Sequence, residues 1–128
     1  MNDARKNLLA VVEFLAHTGL KPVYEKLGFQ VGSEFSVRKA IAAVRKQKPD
    51  VLVADFFFQP DFRDRVSNLE SLLAAVQGST STRTLVYYDA AHQHALDKVR
   101  QRFRVDAALT LPVKLADLEA ILGAWAKD

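Results

Sequence analysis

Five short apolar runs recur along this chain, and between them lie segments whose apolar residues repeat at helical spacing. That alternation is the strongest constraint on the fold. Short runs bounded by turn signals suit strands buried on both faces. Strands separated by amphipathic helices imply crossover connections, hence a parallel sheet covered on both sides. In order, Asn7 to Val12 reads as strand one, and Pro22 sits in the first turn of a short helix that ends at Gly28. Phe29 to Val31 is a brief second strand near an edge. Ser36 caps a helix carrying Val37, Ile41 and Val44 on one face, and Pro49 stops it. Val51 to Ala54 is strand three. Asp61 to Gln77 contains a helix with Val66, Leu69, Leu73 and Val76 inward, followed by a loop over Gly78 to Thr82. Thr84 to Tyr88 is strand four, and His92, Leu96, Val99 and Phe103 line the next helix. Ala107 to Leu111, closed by Pro112, is strand five, and Leu118, Ile121, Leu122 and Trp125 mark a final helix. The expected architecture is one α/β domain over residues 1–128. It is a doubly wound five-stranded parallel sheet in the order 2-1-3-4-5, with helices on both faces.

Composition narrows the function classes. At 128 residues the chain holds one sizeable core. No apolar stretch approaches the roughly 18 residues of a membrane span, and the N-terminus lacks the apolar core of a signal peptide. With no cysteine there is no disulfide framework and no thiolate metal site. The expectation is a cytoplasmic protein with no membrane partner. A net charge of +3 is mildly basic, but the cations are dispersed over two helices. Nucleic acid, which needs a clustered basic stripe, is therefore not the expected partner.

The stretch Lys48-Pro49-Asp50-Val51-Leu52-Val53-Ala54-Asp55 carries the chemistry. Asp55 stands at the carboxyl end of the third strand, where open α/β sheets place their sites. Glu13 ends the first strand in the same way. Phe56, Phe57 and Phe58 follow Asp55 directly. At least one of them packs inward, and any exposed ring is a candidate partner surface.

Lys-Pro-Asp-Val-Leu-Val-Ala-Asp resembles the third strand of a response-regulator receiver domain of two-component signalling, and the resemblance extends over about residues 7 to 125. Gly28-Phe29-Gln30-Val31 is similar to that family's turn into strand two. Pro60 resembles the proline shortly after the phosphoacceptor, and Leu111-Pro112-Val113 resembles the end of strand five. The resemblance implies a CheY-like, flavodoxin-like fold in which Asp55 corresponds to the phosphoacceptor and Glu13 with Asp55 to metal ligands for Mg²⁺. It also implies a partner face on strand five and its flanking helices, with Val99, Phe103, Leu115, Leu118 and Trp125 as edge candidates.

The departures from the family pattern are chemical. The family ends strand one on two adjacent acids; here the pair is Glu13-Phe14. The switch Ser or Thr that ends strand four falls on Tyr88 or Asp89. The lysine that pairs with the phosphoryl charge is replaced by Leu111. Mg²⁺ needs near-octahedral oxygen coordination, which an aromatic ring cannot supply. Phosphoryl transfer needs charge neutralised as it develops, and one lost donor costs roughly 3–4 kcal/mol of barrier.

The reading is a stand-alone degenerate receiver, a pseudo-receiver, in bacterial signal transduction. It is expected to have no enzymatic activity and no cofactor, and to act by contact with a signalling protein or as a homodimer. The alternative is a working phosphorelay receiver, phosphorylated on Asp55 with Mg²⁺. Tyr87 and Tyr88 are expected as one core and one rim residue. Arg100, Arg102 and Arg104 are expected on a solvated face. Thr18-Gly19 is similar to the start of a flavodoxin phosphate loop, but Ala16 and Lys21 lack the further hydroxyls that FMN needs.

Overall fold

The structure is a computed structural model and describes residues 5–12, 18–57, 69–78 and 81–127. Five strands, β1 (Lys6–Val11), β2 (Phe29–Glu34), β3 (Val51–Asp55), β4 (Arg83–Tyr88) and β5 (Ala107–Thr110), form one sheet in the order β2-β1-β3-β4-β5. Every neighbouring pair is parallel. The helices are α1 (Lys21–Lys26), α2 (Val37–Gln47), α3 (Glu70–Gln77), α4 (Gln93–Arg102) and α5 (Leu115–Lys127). The expected order and alternation are thus observed. β2 runs three residues past the expected Val31. Of the helix expected over 61–77, the described part begins at Glu70, and Val66 lies outside the described residues.

Strand alternation sorts the core into two layers. Leu8, Ala10, Val51, Val53, Leu85 and Tyr87 face α1 and α5, where Tyr24, Leu118 and Leu122 meet them. Leu9, Val11, Leu52, Ala54 and Val86 face the other way, onto Ala40 and Val44 of α2, Leu72, Leu73 and Val76 of α3, and Leu96 and Val99 of α4. All five residues of β3 are buried, as a central strand covered on both faces requires.

Local chemistry sets the element ends. Ser36 Oγ accepts the Lys39 N–H at 3.2 Å and caps α2. α2 ends on Lys48 in the left-handed region, with φ of 47°. Gly28, at φ 101°, turns the chain from α1 into β2 in a conformation that favours glycine. Asp50 ties two strands: its carboxylate accepts the Asn7 N–H at 2.8 Å, and its own N–H donates to Asn7 O at 2.9 Å. Thr82 is buried, and its hydroxyl donates to Pro49 O at 2.6 Å.

The arginines of α4 and its exit do more than face solvent. Arg102 pairs with the buried Glu70 at 3.1 Å, Arg100 donates to Val105 O at 3.0 Å, and Arg104 donates to Thr82 O at 2.8 Å. The charge run read as a solvated face thus ties α4 and its exit to α3 and to the chain entering β4. The contacts of Arg102 and Arg104 come from residues distant in sequence, so periodicity within one helix does not reveal them.

Candidate functional site

The strand order places a topological switch point at the carboxyl ends of β1 and β3. The chain leaves β1 in one direction to form β2, then crosses back to form β3, and ligands of open α/β sheets bind at such reversals. Asp55 closes β3 at this point and is fully buried, with 0% exposure. Glu13, its expected companion, lies with Phe14, His17, Phe58 and Pro60 outside the described residues.

The register shows what lies beside Asp55. Its Cα partner on β4 is Tyr87, and that of Tyr87 on β5 is Leu109. Paired residues of parallel strands share a face, so Tyr87 stands on the side of the sheet that Asp55 occupies. The Tyr87 hydroxyl is hydrogen-bonded at 2.8 Å to that of Tyr24, which α1 brings in from above the sheet. Both rings are buried, at 0% and 1% exposure. Burial holds both phenols protonated far above the ordinary range, because the charged form loses its hydration. For Tyr24 the bond from Tyr87 opposes that shift and the negative charge of Asp55 adds to it. For Tyr87 the neighbouring Tyr24 adds to it.

Of the two residues that the resemblance puts at the switch position, Tyr88 closes β4 and Asp89 follows it. Tyr88 belongs to the opposite layer, packed with Val86 and Leu96, and its hydroxyl reaches Gln93 Oε1 at 3.3 Å. Asp89 is exposed and caps the turn before α4, accepting the Ala91 N–H at 2.9 Å. Leu111 is half-buried in the layer under α1 and α5, and its N–H donates to Tyr88 O at 2.8 Å. Tyr87 and Tyr88 are both core residues, one on each face, rather than one core and one rim. Two residues beside Asp55, Tyr24 and Tyr87, were not singled out for the site. Their signal in the sequence was strand alternation, which puts Tyr87 and Asp55 on one face only once the register is known.

Among the expected partner residues, Phe56 is a correction. It is 3% exposed and packs between the sheet and α3, and its N–H donates to Tyr87 O at 2.7 Å. The next residue, Phe57, is 42% exposed. Phe103 and Trp125 are half-buried, each packed against a core layer and each under an arginine, Arg102 at 5.2 Å and Arg83 at 5.8 Å. Val99 and Leu118 are core, while Leu115 is exposed. An exposed ring that sequence reading passed over is Phe35, just beyond β2 at the carboxyl edge.

Among the described residues no group of three or more His, Cys, Asp or Glu side chains is arranged to hold a metal. On the described face, Asp55 is flanked by two neutral phenols. Phenols donate hydrogen bonds but bring no positive charge that could pair with a phosphoryl group.

No protein-family model matches the chain, and no curated protein matches it. Solved structures do match. The receiver domain of a sensor histidine kinase from Pseudomonas aeruginosa, determined with a magnesium ion in its active site cleft, superposes with a TM-score of 0.74 at 18% identity, over 96% of this chain and 98% of that one. A response-regulator receiver domain from Francisella gives 0.70 at 18% identity, over 96% and 97%. A member of a family of redox sensors in the streptococci, evolved from two-component response regulators, gives 0.73 at 17% identity, over 95% of this chain and 51% of that one. The fold is the flavodoxin-like α/β fold of receiver type. No described helix is long and apolar enough to cross a membrane.

Proposed function

We propose that this chain is a degenerate receiver, a cytoplasmic pseudo-receiver in bacterial two-component signalling that acts by protein contact and does not use a phosphorylation cycle. The observation that carries the reading is the complete burial of Asp55 on a face it shares with two hydrogen-bonded phenols. A phosphoacceptor has to meet its donor, and the dianion it gains has to meet a cation. Leu111, at the position where the family resemblance implies a lysine, adds no charge. At roughly 3–4 kcal/mol of barrier per missing donor, two losses slow transfer by about four orders of magnitude or more. The module has neither cofactor nor catalysis of its own, and Phe57, exposed at the carboxyl edge, is the first contact residue for a signalling protein or a second copy.

The second reading is a phosphorelay receiver with Asp55 as acceptor and Glu13 as the metal acid. It is favoured by Asp55 closing β3 at the topological switch point. Acetyl phosphate with Mg²⁺, followed by intact-mass measurement, separates the two. The pseudo-receiver gives no phosphoryl adduct, and beryllofluoride leaves its oligomeric state unchanged. A stoichiometric adduct that Asp55→Asn abolishes establishes the second reading instead.

A further inference from the structure

The chain's basic residues are spread over several elements, but α2 gathers four of them around one alanine. The inner face of α2, Val37, Ala40, Ile41 and Val44, packs into the core. On the opposite side Ala42 is exposed, and Arg38, Lys39, Arg45 and Lys46 stand three or four residues from it. Those are the positions that neighbour a residue on a helix surface, at about 5–6 Å between Cβ atoms. All four cations are exposed, and α2 contains no acid. Among the described residues none of the four makes an ion pair, Glu34 at the end of β2 included. Beside α2, α3 exposes Ser71 and Ala74, and its one acid, Glu70, is buried against Arg102. Residues 58–68, which precede α3 in the chain, hold two aspartates and two arginines and add no net charge.

A solvated helix face explains only half of this arrangement. Arg45 and Lys46 lie in the last turn, where the helix dipole favours cations. Arg38 and Lys39 lie in the first turn, where it disfavours them. A second feature stands at the start of the same helix. Phe35, one residue before the cap Ser36, is 65% exposed, the most exposed of the large apolar side chains described. The patch around Ala42 lacks the central aromatic anchor of a protein interface, and the apolar face of α2 is in the core, where no membrane can reach it. Cations that follow a phosphate backbone, with an aromatic ring free to stack on a base, are the combination that holds single-stranded nucleic acid.

We propose that α2 and Phe35 form a binding surface for single-stranded nucleic acid, with the four cations on phosphates and the Phe35 ring stacked on a base. The surface adds a second class of partner to the protein contact proposed above, and it is independent of phosphorylation at Asp55.

The test titrates the whole chain into a fluorescein-labelled oligothymidylate of about twelve nucleotides, read by fluorescence anisotropy over a range of salt with EDTA present. Saturable binding is expected, with a log–log salt slope of about −2 to −3 for four phosphate contacts. Arg38→Gln/Lys39→Gln should weaken it by about tenfold at low salt and reduce the slope by about 1. The charge-matched pair Lys21→Gln/Lys26→Gln, exposed on α1 across the sheet, should have less than half that effect on the slope. Phe35→Ala should weaken binding by about fivefold or more with the slope kept, and Phe35→Trp should retain it. Every substituted residue is exposed, so the fold is kept, which circular dichroism verifies. Absence of saturable binding would overturn the assignment, as would a control pair as damaging as the α2 pair, or indifference to Phe35→Ala. Equal binding of a duplex of the same length, or equal competition by an acidic peptide or by phosphatidylserine vesicles, would overturn it too.

Discussion

Replacing Tyr87 by Phe removes one oxygen from the middle of the protein and tests whether the phenol pair beside Asp55 is a coupled unit. Tyr87 and Tyr24 are 0% and 1% exposed, and their hydroxyls are 2.8 Å apart. Neither ring has to move when a hydroxyl is lost, so the cost is that of depriving the other phenol of this bond. A buried polar group deprived of its partner costs about 1–3 kcal/mol, whereas removing both partners at constant shape is close to neutral. Tyr87→Phe and Tyr24→Phe are each expected to destabilise by about 1–3 kcal/mol. The double variant should cost less than the sum by about 1–2 kcal/mol. Urea unfolding followed by the fluorescence of Trp125, the single tryptophan, reads this directly. At a slope of about 2 kcal/mol/M, a 2 kcal/mol loss lowers the midpoint by about 1 M. Additive single effects, or single effects below about 0.3 kcal/mol, would refute the coupling.

The same pair sets an alkaline limit. Below about pH 10 the phenols are protonated in both folded and unfolded chains, and stability is unaffected. Above it the unfolded chain releases protons that the folded chain keeps, because burial raises both folded pKa values. Stability then falls by about 1.4 kcal/mol per pH unit per tyrosine. The double Phe variant should lose stability less steeply than the wild type over about pH 10 to 11, measured by the urea midpoint.

Three further outcomes follow from the described contacts. Ser36→Ala removes the side-chain cap of α2 and should cost about 1 kcal/mol in chemical denaturation, with Ser36→Gly costing less. Lys48→Gly relieves a left-handed residue at the end of α2, and its unfolding midpoint should rise by the equivalent of about 0.5 kcal/mol, the relief of strain outweighing the added chain entropy. Arg102→Ala removes one cation from the buried Glu70; because Arg102 is largely exposed, the loss in urea unfolding should be about 1 kcal/mol, and Glu70→Gln in that background should recover part of it.

The architecture was legible because it follows from local rules. Valine-rich runs closed by turn residues, and helices with one apolar face, identify their own elements, and alternation implies the parallel order that is observed. Asp55 at the end of β3 and Ser36 as a cap came from the same kind of signal, as did Gly28 at positive φ. Phe56 shows where local rules stop. Three consecutive phenylalanines alternate in direction, but which one turns inward depends on where α3 lies, and α3 begins fourteen residues later.

Composition, periodicity and turn chemistry by themselves determined the alternation of strands and helices, the α/β class and the acid that closes β3. Each rests on interactions among residues close in the chain. What stands next to that acid was decided only in the tertiary structure. Tyr87 is thirty-two residues away and Tyr24 thirty-one, and they reach Asp55 through a strand register and a helix packing that no single segment encodes.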